Sequence, residues 1–327
     1  MHSFEYLRPS NAKDAFVKTK DSKKFVAGGT TLVDLMKLEV ETPKVMIDLN
    51  QLPLKKIEEK NGEWSVGALV TNTQLANDKE IQARYNALSM AILAGASVQL
   101  RNKATTGGNL LQRTRCVYFR DITKPCNKRN PGSGCSAIEG HNRNLAIIGT
   151  SDQCIASNPS DMNVALAAFE AKINLQNGEA SRVVDFADFH VLPGKTPHIE
   201  TVLQDGELIT GITLPKLPSG TTSTYLKLRD RASYEFALAS AAVISTMKNG
   251  RVERIRFAMG GIGTKPWRVP SAEKMLEGSL PTRALLESAI QEFLKGAKAQ
   301  TENGFKLELA RLCLMKALKT ATSGRAS

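Results

Sequence analysis

The hydrophobic pattern reads as short strands and helices up to about residue 214, then as three strands followed by helices. Phe4-Glu5-Tyr6 is expected to be a strand. A helix to about residue 20 follows, with Ser10 or Asn11 as its N-cap. Residues 24–36 read as strand, glycine turn and helix. Further strands are expected at 44–49 and 64–68, and Thr71-Asn72-Thr73 suits the cap of a short helix. A longer helix fits residues 85–100, with Leu88, Ala91, Ile92, Gly95 and Val98 on one side. Ser160 suits the cap of a helix over 161–171, and 173–175 and 208–214 read as strands.

Between residues 215 and 222 the composition shifts to Pro, Gly, Ser and Thr, which places a domain boundary there. Three strands are then expected at 225–229, 236–247 and 252–259. Lys248-Asn249-Gly250-Arg251 supplies a hairpin turn between the last two. Helices are expected near 271–277, 282–295 and 303–319, and a disordered small, polar tail at 320–327.

A chain of 327 residues, 42% of them hydrophobic, has room for two or three ordinary domains. No apolar run approaches membrane-spanning length. Met1-His2-Ser3-Phe4-Glu5-Tyr6 lacks the basic-then-apolar pattern of a signal peptide, so any export would have to ride on a partner. Net charge is +12 and unevenly spread. Residues 101–145 hold nine basic side chains against two acidic ones, Asp121 and Glu139, or about +7 of the total. Such a surface suits nucleic acid, an acidic protein or an anionic cofactor, or is simply solvated.

That basic stretch also holds the chemistry. Cys116, Cys126, Cys135 and Cys154 are four of five cysteines, spaced C-x9-C-x8-C-x18-C. The residues between them are polar and rich in Gly, Pro and Asn. They are expected to bury too little apolar surface to order themselves. Disulfides, a zinc site, an iron–sulfur cluster and unligated thiols all stay open. The chain is neither small nor signal-bearing, no C-x2-4-C knuckle is present, and dispersed thiolates on a loop can ligate a four-iron cluster. Arg113, Arg115, Lys124, Lys128 and Arg129 would offset the negative charge of such a cluster. Cys313, on an amphipathic helix, reads as a core residue.

Two glycine turns stand out. Val26-Ala27-Gly28-Gly29-Thr30-Thr31-Leu32-Val33-Asp34 leads from a strand into a helix, and Thr105-Thr106-Gly107-Gly108-Asn109 opens the cysteine stretch. Paired glycines let backbone approach a ligand, and helix-start N–H groups suit phosphate, although an ordinary tight turn reads the same way. P-loop and Rossmann fingerprints are absent. His2, His141, His190 and His198 form no evident triad, so no catalytic residue is expected.

Together the two turns, Ser160-Asp161, Tyr225-Leu226-Lys227-Leu228-Arg229 and Met259-Gly260-Gly261-Ile262-Gly263-Thr264-Lys265-Pro266-Trp267-Arg268 resemble the FAD-binding subunit of the xanthine dehydrogenase/molybdenum hydroxylase family. The likeness covers nearly the whole chain. Residues 95–116 are especially similar to the flavin subunit of bacterial periplasmic aldehyde oxidoreductases, whose loop carries four cysteines for a [4Fe–4S] cluster. Most family members lack that insert.

The resemblance implies an α+β fold: a two-subdomain FAD-binding domain of the vanillyl-alcohol-oxidase type, then a C-terminal domain of a three-stranded sheet plus helices. The divisions would be 1–60, 61–218 with the insert at 112–158, and 219–327. It implies FAD, its pyrophosphate wrapped by the first turn (Val26 to Asp34) and its ribityl and phosphate side along Thr105 to Asn109, with side-chain donors from Thr106 and Asn109. Asp161 would accept from a ribose or ribityl hydroxyl; read alone, it is a helix-start charge. Leu203 or Ile209 would pack near the isoalloxazine. Lys227 would sit by the ring and stabilise negative charge on reduced flavin. Tyr118 and Phe119 would screen the cluster or ring, or form core. Cys116, Cys126, Cys135 and Cys154 would ligate [4Fe–4S].

The implied role is electron transfer in a heterotrimer with a molybdenum-cofactor subunit that oxidises aldehydes and a small subunit with two [2Fe–2S] centres. An external acceptor would take the electrons. The complex would be exported to the periplasm by a signal-bearing partner, with no nucleic acid and no membrane span. The rivals are a flavin subunit of a xanthine dehydrogenase-like or 4-hydroxybenzoyl-CoA reductase-like complex, and a zinc-stapled nucleic-acid-binding protein.

Overall fold

The computed structural model of the chain describes residues 1–16 and 19–323. It opens with a parallel three-stranded sheet in which Val45–Asp48 lies between Glu5–Leu7 and Lys23–Val26. All four residues of the central strand are buried, as a strand covered on both faces requires. Asn11 caps the first helix, Ala12–Ala15, by accepting from the Asp14 amide at 3.0 Å. Residues 17 and 18 of the expected helix lie outside the described residues.

The second sheet is antiparallel and five-stranded: Ile57–Lys60, Glu63–Gly67, Leu208–Leu214, Lys172–Asn177 and Ala180–Asp185 in spatial order. Ile57–Lys60 and Ala180–Asp185 are mostly exposed edge strands, so they lack the apolar run that marks a strand in sequence. The turn at Asn61-Gly62 places both residues at positive φ, 58° and 84°, the signature of a two-residue hairpin. An expected division at residue 60 would cut this hairpin; the pairing puts 57–60 with the five-stranded sheet, the second unit of the fold after the parallel sheet.

The helix expected over 85–100 breaks in two, Asn86–Ala94 and Val98–Arg101. Ala96 has φ 52° and Ser97 caps the second piece, so the apolar spacing did not reveal the stop. Gly95 has a tertiary reason: a Cβ there would stand 3.2 Å from Asp161 Oδ2. Val98, expected inward, is exposed.

The C-terminal sheet has four strands, one more than expected. The added member is the two-residue strand Trp267–Arg268 beside Arg251–Gly260. Ala239–Lys248 lies between Arg251–Gly260 and Thr221–Leu228, and its first eight residues are buried. Ala241 and Val243 face the C-terminal helices Arg283–Phe293 and Phe305–Thr322, while Ala242 and Ile244 join the core of the second unit. That two-sided burial explains an unbroken apolar run. The last helix continues to Thr322, into the stretch expected to be disordered; residues 324–327 lie outside the described residues.

The cysteine loop has a core of its own, contrary to expectation. Phe119 is fully buried with Leu35, Leu145, Ile155 and three of the cysteines around it. Polar groups complete the loop. Arg129 donates to the carbonyls of Tyr118 (2.8 Å), Phe119 (2.7 Å) and Lys124. Asn142 joins Thr301 and Glu302 of the C-terminal domain. The composition of the loop understates this core, because one member is Leu35 and the others are spread thinly over 116–156.

Candidate functional site

Folding presses the two glycine turns together. A Cβ built on Gly28 would lie 1.8 Å from the carbonyl oxygen of Lys103, so only glycine fits against the backbone that leads into the second turn. Gly29 has φ 70°, which turns the chain into the helix Leu32–Lys37. Between the turns lies a cleft of about 180 Å³ walled by Val26 to Leu32 on one side and by Thr105, Gly108 and Leu111 on the other. A trough of backbone at a helix start suits a diphosphate, whose oxygens need N–H donors at close range.

Not every turn residue faces this cleft. Asp34 points to the cysteine loop, where its Oδ2 takes Arg120 at 2.6 Å and Arg115 at 3.4 Å. Val33 packs its side chain at Gly29. The second turn is a short helix, Thr106–Leu110, rather than an open turn, because Thr105 caps it through the Gly108 amide. Thr106 Oγ1 donates to the Val70 carbonyl at 3.1 Å and Gly107 stands against Ala68. Asn109 Oδ1 accepts from Ser160 Oγ (2.7 Å) and Gln112 Nε2 (2.5 Å). Thr106 and Asn109 therefore join the turn to its neighbours, whereas Thr105 and Gly108 line the cleft.

Ser160 caps the helix Asp161–Ala168 through the Asn163 amide. Both oxygens of the Asp161 carboxylate have partners within the chain: Tyr225 Oη donates to Oδ1 at 2.5 Å and Lys227 Nζ to Oδ2 at 2.8 Å. Lys227 also donates to the Ala94 carbonyl, and its side chain is 4% exposed. Burial, and then the neighbouring Asp161 charge, push the Tyr225 hydroxyl well above its usual range. The structure thus brings Asp161 and Lys227 together as a buried pair, with Asp161 on the wall of a further cleft of about 220 Å³.

A third cleft, of about 310 Å³, adjoins the first, and Lys24, Leu111 and Arg113 line both. Leu203 lies in its wall and Ile209 in the core of the second unit. His190 also lines it, with Nε2 donating to the Leu110 carbonyl at 3.1 Å. Burial pulls this imidazole down to about 4, so it is neutral at pH 7.

Cys154 reaches the same cleft. All five cysteines are free thiols. Cys116, Cys126 and Cys154 are buried together with half-buried Cys135 beside them, and Cys126 and Cys135 form a β-bridge. Burial pushes Cys116 up to about 11. Burial also raises Cys154, while Lys128 opposes that rise. No group of three His, Cys, Asp or Glu among the described residues is placed to hold a single metal ion. Phe119 is the hub of the loop core, and Tyr118 Oη accepts from the His141 amide at 2.8 Å. Cys313 is buried in the C-terminal core.

The basic excess of the loop is met by acids from elsewhere. Arg115 and Arg120 pair with Asp34, Arg113 with Glu41 and Glu200, Lys128 with Glu200, and Arg143 with Asp230. Lys24, Glu41 and Glu200 stand in no motif of the sequence. No local signal could have found them, because Arg113 and Glu200 are 87 residues apart.

A family model described as the FAD binding domain in molybdopterin dehydrogenase matches residues 2–217, and one described as the CO dehydrogenase flavoprotein C-terminal domain matches 223–321. The chain is 48% identical over 326 residues to the aldehyde oxidoreductase FAD-binding subunit PaoB of Escherichia coli strain K12, covering 98% of this chain and 99% of that protein. It is 26% identical to the glyceraldehyde dehydrogenase medium chain of Sulfolobus acidocaldarius, over 97% of each chain. The reconstituted CO dehydrogenase from Oligotropha carboxidovorans shares the fold, with a TM-score of 0.78 at 23% identity over 99% of each chain.

Proposed function

Because the chain belongs to the family of FAD-binding subunits of molybdenum hydroxylases, we propose that it is the electron-transfer flavin subunit of a molybdenum-dependent aldehyde oxidoreductase. The aldehyde would be oxidised to a carboxylic acid on a partner subunit that carries the molybdenum cofactor. A small partner with two [2Fe–2S] centres would complete a heterotrimer, and an external acceptor would receive the electrons. The aldehyde assignment rests on the near-full-length 48% identity to an aldehyde oxidoreductase subunit. From the resemblance of residues 95–116 to the flavin subunit of bacterial periplasmic aldehyde oxidoreductases, the complex would lie in the periplasm, exported with a signal-bearing partner.

The flavin assignment is carried by the contact between Gly28 and Lys103, which joins the two glycine turns into one backbone-walled cleft. When bound, FAD supplies exchange of one and two electrons. Amides of Ala27 to Thr31 would hold its diphosphate, Thr105 and Gly108 would close the opposite wall, and Leu203 would pack against the bound group from the adjoining cleft.

Cys116, Cys126, Cys135 and Cys154 would hold a [4Fe–4S] cluster. Four free thiols gathered on one small core support this reading. In a cubane each thiolate takes its own iron, so the ligands stand farther apart than around a single ion. Lys128 would favour the thiolate at Cys154.

The test is an anaerobic purification of the complex from iron-replete cells, with a visible spectrum and flavin, iron and sulfide analysis. The expected protein is yellow-brown, and an aldehyde bleaches its flavin band. In the Cys126→Ser complex, iron falls while most of the flavin stays. A colourless, zinc-loaded protein would overturn the assignment, and a flavin reduced by xanthine but not by aldehydes would overturn its substrate class.

A further inference from the structure

We propose that Arg113 is a positioning residue that ties the flavin cleft to the cysteine loop, so that one continuous chain of charges holds both. This rests on the reading above, in which the cleft takes FAD and the thiols take an iron–sulfur cluster.

Five charges alternate across the gap between the two sites. Lys24 Nζ lies 3.3 Å from Glu41, Glu41 2.6 Å from Arg113 Nη1, Arg113 Nε 2.9 Å from Glu200, and Glu200 2.6 Å from Lys128 Nζ. Glu41 is in the wall of the glycine cleft, and Glu200 and Lys128 are in the wall of the cleft that Cys154 reaches. Arg113 is in both walls. Its guanidinium also lies 4.5 Å from the centre of the Phe119 ring, the hub of the loop core. Arg113 therefore cannot turn without leaving the first unit at Glu41, the second at Glu200 and the loop at Phe119.

The geometry needs arginine. A planar fork points its donors in fixed directions and serves two carboxylates at once, which an ammonium on a flexible stem does not fix. Three cations against two carboxylates leave this chain of charges positive overall, between two sites that would each hold an anion. The ionised state of Glu200 is maintained in place: burial works to raise its carboxyl, but Lys128 and Arg113 outweigh burial and hold it below the usual range. Arg113 is thus fixed by protein groups and acts through the wall it builds, while Glu200 carries its position to Lys128 and the thiols.

The experiment compares wild-type, Arg113→Gln, Arg113→Lys and Lys128→Gln in the intact complex. FAD release is followed by fluorescence, and the loop cluster by iron content and electron paramagnetic resonance. Arg113→Gln is expected to weaken FAD binding by roughly tenfold or more, the scale of one charge-assisted hydrogen bond, and to alter the cluster signal in the same protein. Lys128→Gln is expected to alter the cluster signal and, through Glu200, to speed FAD release by a smaller factor. Arg113→Lys keeps the charge without the fork and is expected to show the same paired loss at smaller size; it stands as the test if Arg113→Gln does not fold. Wild-type behaviour of both cofactors in Arg113→Lys, or flavin loss with an unchanged cluster signal in Arg113→Gln, would overturn the proposal. A wild-type complex without flavin and iron would overturn the functional reading instead.

Discussion

Lys227 Nζ lies 2.8 Å from Asp161 Oδ2, with the two side chains 4% and 8% exposed. The pair joins a strand of the C-terminal sheet to the start of a helix in the second unit. Sequence likeness places both residues at a flavin; the fold also pairs them with each other.

Removing one member leaves the other charge buried without its partner. Lys227→Met should therefore lose about 3–5 kcal/mol of stability. The Lys227→Met/Asp161→Asn double variant should lose less than the sum of the single changes. Chemical unfolding of all four proteins measures the coupling. Unchanged stability with an altered flavin spectrum would instead mean that Lys227 serves only the cofactor.

Gly28→Ala tests the contact between the turns. Its methyl group would fall on the Lys103 carbonyl, which is backbone and cannot swing away. The turns must part, and bound flavin should fall by roughly tenfold or more, a distortion of about 1–3 kcal/mol. Gly178→Ala is the control: φ is 62°, but the site is open. It should cost about 1 kcal/mol and leave flavin in place. Equal flavin loss in both would argue against a role for the close contact.

Lys306 is fully buried, donating to the carbonyls of Leu145 (3.0 Å) and Gly261 (2.7 Å). Burial, with a smaller push from Arg143, brings its amine down to about 7. Unfolded, it titrates near 10.4. Between those values the unfolded chain binds the extra proton, so the contribution of this group to stability rises with pH, by up to ~1.4 kcal/mol per pH unit. Lys306→Met should remove that rise. Other groups titrate in the same window, so the difference between wild type and variant across pH 7–10 is the quantity to measure. A difference that does not change with pH would refute this assignment.

Asn142 fastens the far end of the cysteine loop. Its Oδ1 accepts from the Glu302 amide at 2.9 Å, and its Nδ2 donates to Thr301 Oγ1 at 2.8 Å. Asn142→Ala removes both bonds and empties a fully buried side-chain site, at a cost of about 1–3 kcal/mol. Proteolytic nicking should concentrate within 120–145, because the loop then rests on its own small core. Nicking elsewhere first would place the weak point outside the loop.

The elements legible in the sequence are those set by neighbours within a few residues. Thr71, Ser97, Ser160 and Thr282 each accept from an amide three positions on, and the sequence pointed to Thr71 and Ser160 as caps. Asn249-Gly250, at φ 51° and 75°, makes the expected hairpin. Asn61-Gly62 carries the same signal, but Ile57–Lys60 beside it is an exposed edge without the apolar run that marks a strand. The glycine turns and the four cysteines were also legible, since their chemistry is written in residue type.

Local geometry and side-chain chemistry act over a few bonds or one helical turn, so the caps at Thr71 and Ser160, the apolar runs, the turn glycines and the thiols can be read from the chain alone. The meeting of Gly28 with Lys103, the pairing of Asp161 with Lys227 and the seat of Arg113 between Glu41 and Glu200 exist only in the folded chain. These partners are separated by tens of residues. Charges and backbones so far apart in sequence are oriented toward each other only when sheets and cores bring them within a few ångströms.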